Sequence, residues 1–429
     1  MLCEVTDHAG EIGAKLCNRC DASFFETFAA NLEFGPPNAF ANNYNAKKDG
    51  TYFSSPITTE FTGSFNGLGN AISNLSINDP NGDYFVGLFA EMNGGSIANI
   101  RLLNENVQAP SASDVGGLVG WAGGTVAHGF SAGTVSGGGD AGGLLGVSAG
   151  AITGSGSVAA VSGQDAGGLI GVGYRGSIHD SWATGNISGS SDVGGLVGFG
   201  EIDIKHSWAG GQVSTTSAYA SAGGLVGEMD DVESDSIERS YATGAVTCQG
   251  ACGGLVGLEN GGGWLRISQS YATGTVTGAS SSTEVGGLVG DGETCGICVI
   301  ANSYALGAVS GGVVGGLMGR NAPPTTGLHS ISSSYAAGAV NGTGSAGGLL
   351  GYDFSSNPTI KRTYWDMTTS GITNRSQGAG DPANDPGIKG LSDKKLKSGL
   401  PKGFNPKIWN EDSNINGGLP YLINNPPPK

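Results

Sequence analysis

Basic residues are scarce in this chain. Against 36 Asp and Glu stand 20 Lys and Arg, a formal net charge of −16, and no Lys/Arg cluster interleaved with aromatics occurs outside the C-terminal tail. Phosphate-backbone binding depends on neutralising cations, so nucleic acid is not an expected partner. Long apolar runs are missing as well. No stretch approaches the ~18 residues that a membrane helix needs, so no transmembrane segment is expected. Residues 1–13 lack the charged-then-apolar order of a signal peptide, so either an export signal lies outside this sequence or the chain is not exported. Histidine is rare, and none of the five is followed by Glu, so the zinc-peptidase pattern HExxH is absent.

Cysteine is sparse and unevenly placed: Cys3, Cys17 with Cys20, Cys248 with Cys252, and Cys295 with Cys298. Two C-x-x-C units about 275 residues apart, with no nearby His in the sequence, favour local disulfides or plain thiols over zinc.

Glycine is abundant, with 81 residues. It lacks the every-third-residue order of collagen and is interleaved with Leu, Val, Ile, Ala and aromatics, which indicates a repetitive β architecture. Gly-Gly-Leu-Val-Gly, with small changes at its fourth position, recurs nine times between Gly116 and Gly351. The second glycine falls at 117, 143, 168, 195, 224, 254, 287, 316 and 348, a spacing of 25 to 33 residues. A period of that length is the signature of a solenoid.

A second element follows each glycine group, as in Ser181-Trp-Ala-Thr-Gly-Asn-Ile, Ser240-Tyr-Ala-Thr-Gly-Ala-Val and Ser270-Tyr-Ala-Thr-Gly-Thr-Val. Superimposing the copies aligns Phe130, Trp182, Trp208, Tyr241, Tyr271, Tyr304, Tyr335 and Tyr364, and separately Leu118, Leu144, Leu169, Leu196, Leu225, Leu255, Leu288, Leu317 and Leu349. Coils of a β-solenoid stack at ~4.8 Å, so both columns become ladders that fill a core. The doubled glycines are expected to supply positive φ and close backbone approach at a corner.

The expected fold is therefore all-β: a single-stranded parallel β-helix of about ten coils, ~50 Å of stack at the strand spacing. Residues 1–50 read as an N-terminal cap with a short helix at Asp21–Leu32, 51–366 as the solenoid, and 367–429 as a linker and C-terminal cap. Within the last, Ser392 N-caps a short helix that stops at Gly399, and Trp409, Leu419, Pro420 and Tyr421 supply apolar cover.

These motifs resemble the GLUG repeat of bacterial surface and secreted proteins. The resemblance spans about residues 50 to 421 and includes the entry FTGSFNGLGNAISNLSI, the exit Thr363–Asp366 and the closing Ile408-Trp409 and Leu419–Leu422. The family includes filamentous-haemagglutinin-like adhesins and the stalks of immunoglobulin A metallopeptidases. It implies an extracellular or cell-surface β-helix, and by itself no activity.

The polar feature closest to the repeat is an acidic column two residues before the glycines: Asp114, Asp140, Asp165 and Asp192, with Glu284 later. Stacked like charges repel, so the column calls for a counter-charge or full solvation. Ca²⁺ would use carboxylate and carbonyl oxygens there; alternatively each Asp bonds its own turn amides. No other cofactor is expected. His128, His179, His206 and His329 are scattered, and only His128 and His206 share a column, so no Ser/His/Asp constellation follows. Thr184, Thr243 and Thr273 align beside the aromatics, but Gly210, Leu306 and Ala337 interrupt any ice-binding ladder.

The functional expectation is a non-catalytic adhesin or scaffold segment whose loops meet a host or matrix protein or a glycan, with end-to-end or edge contacts to the rest of a longer polypeptide. The rival class is a carbohydrate-active β-helix enzyme, which needs clustered carboxylates on one face.

Overall fold

The computed structural model describes residues 39–40, 42–230, 234–279, 283–292, 295–322, 329–354 and 359–428, and the backbone alone of 5–6, 15–17 and 38. The expected helix at 21–32 lies outside them. The chain is a parallel β-solenoid of about 11 turns with almost no helix. It divides into two compact units, residues 1–190 with 196–199, and residues 191–195 with 200–429.

In each unit one coil contributes short strands to three faces, and each strand pairs in parallel with its counterpart one coil on. In the first unit, Asp114–Gly116 pairs with Asp140–Gly142 on the glycine face, while Arg101–Ala109 pairs with Phe130–Gly137 on a second face. In the second unit the glycine face runs Ala222–Gly223, Cys252–Gly253, Glu284–Gly286, Val313–Gly315 and Ala346–Gly347. Stacking reaches beyond 51–366 at both ends. Asn38–Ala39 and Tyr44–Asn45 already pair in parallel with the next coil, and Ala379–Asp381 and Ile388–Leu391 add strands to the last one. None of these strands carries the complete glycine motif or the aromatic marker.

Gly-Gly-Leu-Val-Gly turns the corner between faces. Its first glycine ends a glycine-face strand and its valine opens the next, as at Gly116 and Val119. The leucines point inward and all nine are 0% exposed, forming the core ladder.

The doubled glycines act differently from the sequence expectation. Among the described residues positive φ falls on other glycines, such as Gly94 and Gly95, and not on the repeated ones. What the motif requires is space. A Cβ on Gly224 would overlap the carbonyl oxygen of Gly254 and lie 2.7 Å from the Ala242 Cβ; Gly254 meets Ala272 in the same way, and Gly316 meets Ala336 at 2.9 Å. The coil is so thin here that only glycine opposite alanine fits.

Positive φ sits instead on side-chain-bearing residues at another corner: Asn99, His128 and Asp180 in the first unit, and His206, Arg239, Gln269, Asn302, Ser333 and Arg362 in the second, all between 48° and 58°. Each stands two residues before the aromatic column, except Asn99, which precedes Arg101. From Asp180 to Ser333 a buried serine lies between corner and aromatic, while Gly129 and Thr363 take that place after His128 and Arg362. Ser240 Oγ donates to Glu238 O at 2.9 Å and accepts from the Ser207 amide at 3.2 Å, and Ser270, Ser303 and Ser334 repeat the pattern. This hydroxyl ladder satisfies the amides and carbonyls exposed by the left-handed turns.

The aromatics are a second departure. In the two-residue strands Tyr241–Ala242, Tyr271–Ala272, Tyr304–Ala305 and Tyr335–Ala336 the period of two sends alanine into the coil and the ring outward. The rings of Trp208, Tyr241, Tyr271, Tyr304 and Tyr335 stack with centroids 4.8 to 5.8 Å apart and planes within 9°. Their burial comes from outside, because Leu396, Phe404, Trp409 and Leu422 of the C-terminal segment lie across Tyr271, Tyr304, Tyr335 and Tyr364. Tyr335 Oη donates to Pro420 O at 2.6 Å and Tyr364 Oη to Lys402 O at 2.8 Å. The short helix in that segment is Asp393–Leu396, N-capped by Ser392.

Candidate functional site

The acidic column forms in the first unit. Asp114 stands directly opposite Asp140 in the parallel pair, and Asp140 is hydrogen-bonded to Asp165 one coil on. Asp114 is buried and accepts from Ser113 Oγ at 2.6 Å. Burial, then the charges of Asp165 and Asp114, push the Asp140 carboxyl up to about 7, so the stack relieves its repulsion by holding a proton. Half-exposed Tyr174 feels all three carboxylates. Asp192 belongs to the second unit, where it accepts from Ser191 Oγ at 2.9 Å, and Glu284 stands opposite Val313.

A buried acid that sequence reasoning passed over lies on the next face of the first unit. Glu105 sits at an irregularity between Leu103 and Glu105 where Arg101–Ala109 pairs with the following strand. It accepts from Ser131 Oγ at 2.7 Å and from the Ala132 amide at 3.1 Å. Burial raises its carboxyl to about 7 despite those bonds. A lone Glu within a strand carries no periodic signal.

The second unit holds a cluster of cations. Arg362, Lys389 and Lys402, with Tyr364 and Gly403, line a cavity of about 500 Å³ where the last coil meets the C-terminal segment. Lys389 comes from the strand paired against Tyr364, and Lys402 is fixed by the bond from Tyr364 Oη to its carbonyl. Among the described residues none of the three makes an ion pair. Sequence reasoning noted the basic tail, but Arg362 and Lys402 are 40 residues apart and only the fold-back unites them.

Both internal cysteine pairs of this unit are disulfides, Cys248–Cys252 and Cys295–Cys298, each with a Cα separation of 5.8 Å. Cys3 and Cys20 lie outside the described residues. His128 and His206 occupy left-handed corners, whereas His329 is buried beside Cys295 and Cys298. The ligand atoms of these three lie within 4.8 Å of one another, and they are the one such group of His, Cys, Asp or Glu among the described residues. Thr184, Thr243 and Thr273 are half-buried, and their backbone amides pair with the coil before.

No family model matches the chain. Over 87 residues it is 44% identical to halomucin of Haloquadratum walsbyi, a match that covers 20% of this chain and 1% of that protein. The chain thus spans a very small part of the curated relative it resembles. Among solved structures, a protein from Bacteroides ovatus provisionally assigned as an immunoglobulin A1 protease aligns over 97% of this chain and 94% of its own, with 16% identity and a TM-score of 0.39. An IgA1 protease aligns over 76% of this chain and 21% of its own, with 18% identity and a TM-score of 0.41. Among the described residues no helix is long and apolar enough to cross a membrane.

Proposed function

We propose that this chain is a non-catalytic segment of a secreted or cell-surface protein, a GLUG-type solenoid that holds an anionic glycan or an acidic protein segment. The observation that carries this reading is the cavity lined by Arg362, Lys389 and Lys402. Three cations that make no ion pair among the described residues line one concavity of a protein whose net charge is −16, and a carboxylate or sulfate ligand would complement them. The two disulfides fit an oxidising compartment. The aromatic ladder is a poor sugar platform, because its ring faces are already stacked on one another.

A glycan array that includes uronate and sulfated oligosaccharides, run beside acidic peptides, tests the reading. Retention is expected to fall at least tenfold in a Lys389→Ala/Lys402→Ala double variant and to weaken with salt. Retention that is unchanged in the variant would refute it.

The rival reading, a carbohydrate-active enzyme, draws on Asp140. A carboxyl raised to about 7 next to Asp165 has the character of a general acid beside a carboxylate. Release of reducing ends or unsaturated products from a bound polysaccharide, lost in Asp140→Asn, would favour it over the scaffold.

A further inference from the structure

The Cys295–Cys298 pair differs from Cys248–Cys252 in having a histidine beside it. His329 arrives from the following coil, just ahead of Ser330–Ser332, which pairs with the strand that contains Cys298. All three side chains are buried, Cys295 at 0%, Cys298 at 5% and His329 at 2% exposure. Met318 is buried too, and its methyl and the Cys298 sulfur both approach the bare face of Gly292. The surroundings are dry and rich in soft atoms.

Hydrogen bonds hold the imidazole on both of its nitrogens. Asn321 donates its amide N–H to Asp353 Oδ1 at 2.9 Å, which turns its carbonyl oxygen toward His329 Nδ1, 2.5 Å away. Nδ1 therefore carries the proton. The other nitrogen, Nε2, lies 3.0 Å from the Cys295 carbonyl oxygen, at the backbone of the cysteine pair. A carboxylate–amide–imidazole relay that holds Nδ1–H and presents Nε2 is also the usual outer support of a metal-bound histidine.

We propose that Cys295, Cys298 and His329 form a zinc site in the reduced chain, with two thiolates and Nε2 as three of its ligands. A dithiol or phosphine reductant supplies two electrons to the S–S bond, and each sulfur takes up one proton. Zn²⁺ then displaces both thiol protons to solvent as the two Zn–S bonds form. Oxidation of the two thiols by a disulfide-exchange partner expels the metal and restores the bond. The two cysteines thus serve as a disulfide within one coil in one compartment, and with His329 as a metal clip between that coil and the next in the other.

The test uses the full chain carrying Cys3→Ser, Cys17→Ser and Cys20→Ser, reduced with a phosphine and freed of metal. Titration with Co²⁺ is expected to give one equivalent of tetrahedral cobalt with a thiolate charge-transfer band, displaced by Zn²⁺. The band should survive Cys252→Ser, vanish in Cys298→Ser and require at least tenfold more Co²⁺ in His329→Gln. Because buried variants can misfold, the unsubstituted reduced chain is also alkylated with and without Zn²⁺ and mapped by peptide mass. Zinc should slow labelling of Cys295 and Cys298 and leave Cys248 and Cys252 unaffected. A band that survives Cys298→Ser, or labelling of Cys295 and Cys298 that ignores zinc, overturns the proposal.

Discussion

The tyrosine ladder offers one substitution in two neighbouring, nearly identical places with opposite expected signs. Tyr304 and Tyr335 are both 0% exposed and stack on each other at 5.2 Å with planes 9° apart. Tyr304 Oη is buried and has no hydrogen-bond partner among the described residues. Tyr335 Oη donates to Pro420 O at 2.6 Å and accepts from Asn416 Nδ2 at 3.1 Å. A buried hydroxyl without a partner costs about 1–3 kcal/mol. Tyr304→Phe removes that penalty and forfeits a few dispersion contacts of one oxygen, a few tenths of a kcal/mol in all, so the variant is expected to be about 1 kcal/mol more stable. Tyr335→Phe loses two bonds. Its carbonyl partner keeps Asn416 Nδ2 at 3.0 Å, which limits the orphaning, and the expected loss is about 1–2 kcal/mol. The second unit, which contains both residues, has the size for which 1 kcal/mol moves a melting temperature by about 2–4 °C. Scanning calorimetry should therefore place the two variants on opposite sides of the parent, about 5–10 °C apart. Stacking is unchanged in both, so equal shifts of one sign would mean that ring packing alone governs the ladder and that hydroxyl pairing does not.

The acids of the first unit give that unit a pH dependence. Glu105 and Asp140 are both raised to about 7 in the fold, so the folded state binds protons more tightly than the unfolded chain. Stability from these groups is complete below the ordinary carboxylate range and is lost as pH climbs from about 4 to about 7. For Glu105 this amounts to about 3 kcal/mol, and for Asp140, which solvent reaches, about 1–2 kcal/mol after screening. Urea midpoints of the first unit should fall between pH 5 and pH 8, and Glu105→Gln should remove the larger part of the slope, since the Ser131 hydroxyl can reverse to accept from the new amide. An unchanged slope would assign the pH dependence elsewhere. In the second unit Gly224→Ala is expected to cost about 3 kcal/mol or more, because the new methyl overlaps backbone at Gly254 as well as Ala242; the double variant Gly224→Ala/Ala242→Gly should recover only the part due to the side chain, as read from the same melts.

What the sequence made legible is whatever recurs with one residue type. Nine leucines at one period named the core, and all nine are fully buried. Glycine pairs at the same period located the corner, but their identity was compatible with either positive φ or lack of room, and only the alanine across the coil decides between them. The left-handed corner was invisible for the opposite reason. Its conformation repeats, yet it is carried in turn by His206, Arg239, Gln269, Asn302 and Ser333, and no pattern of composition links those residues. The constant partner is the serine that follows, which takes up the amide and carbonyl that the turn would strand. Backbone geometry was written in the sequence through its compensation and not through the strained residue itself.

The same logic explains why the candidate sites escaped notice. A stacked carboxylate column follows the repeat and could be read directly, although its proton sharing could not. Sites that join one coil to the next off the repeat have no such signal: His329 is 31 residues beyond Cys298, and Lys402 is 40 beyond Arg362. In a solenoid one turn of chain brings residues about 30 apart in sequence to within one strand spacing of each other. A C-x-x-C pair should therefore be searched for a histidine one coil away as well as within a few residues. That rule finds His329 for Cys295 and Cys298, and it finds no histidine one coil from Cys248 and Cys252, which makes the two disulfides of this unit chemically unequal.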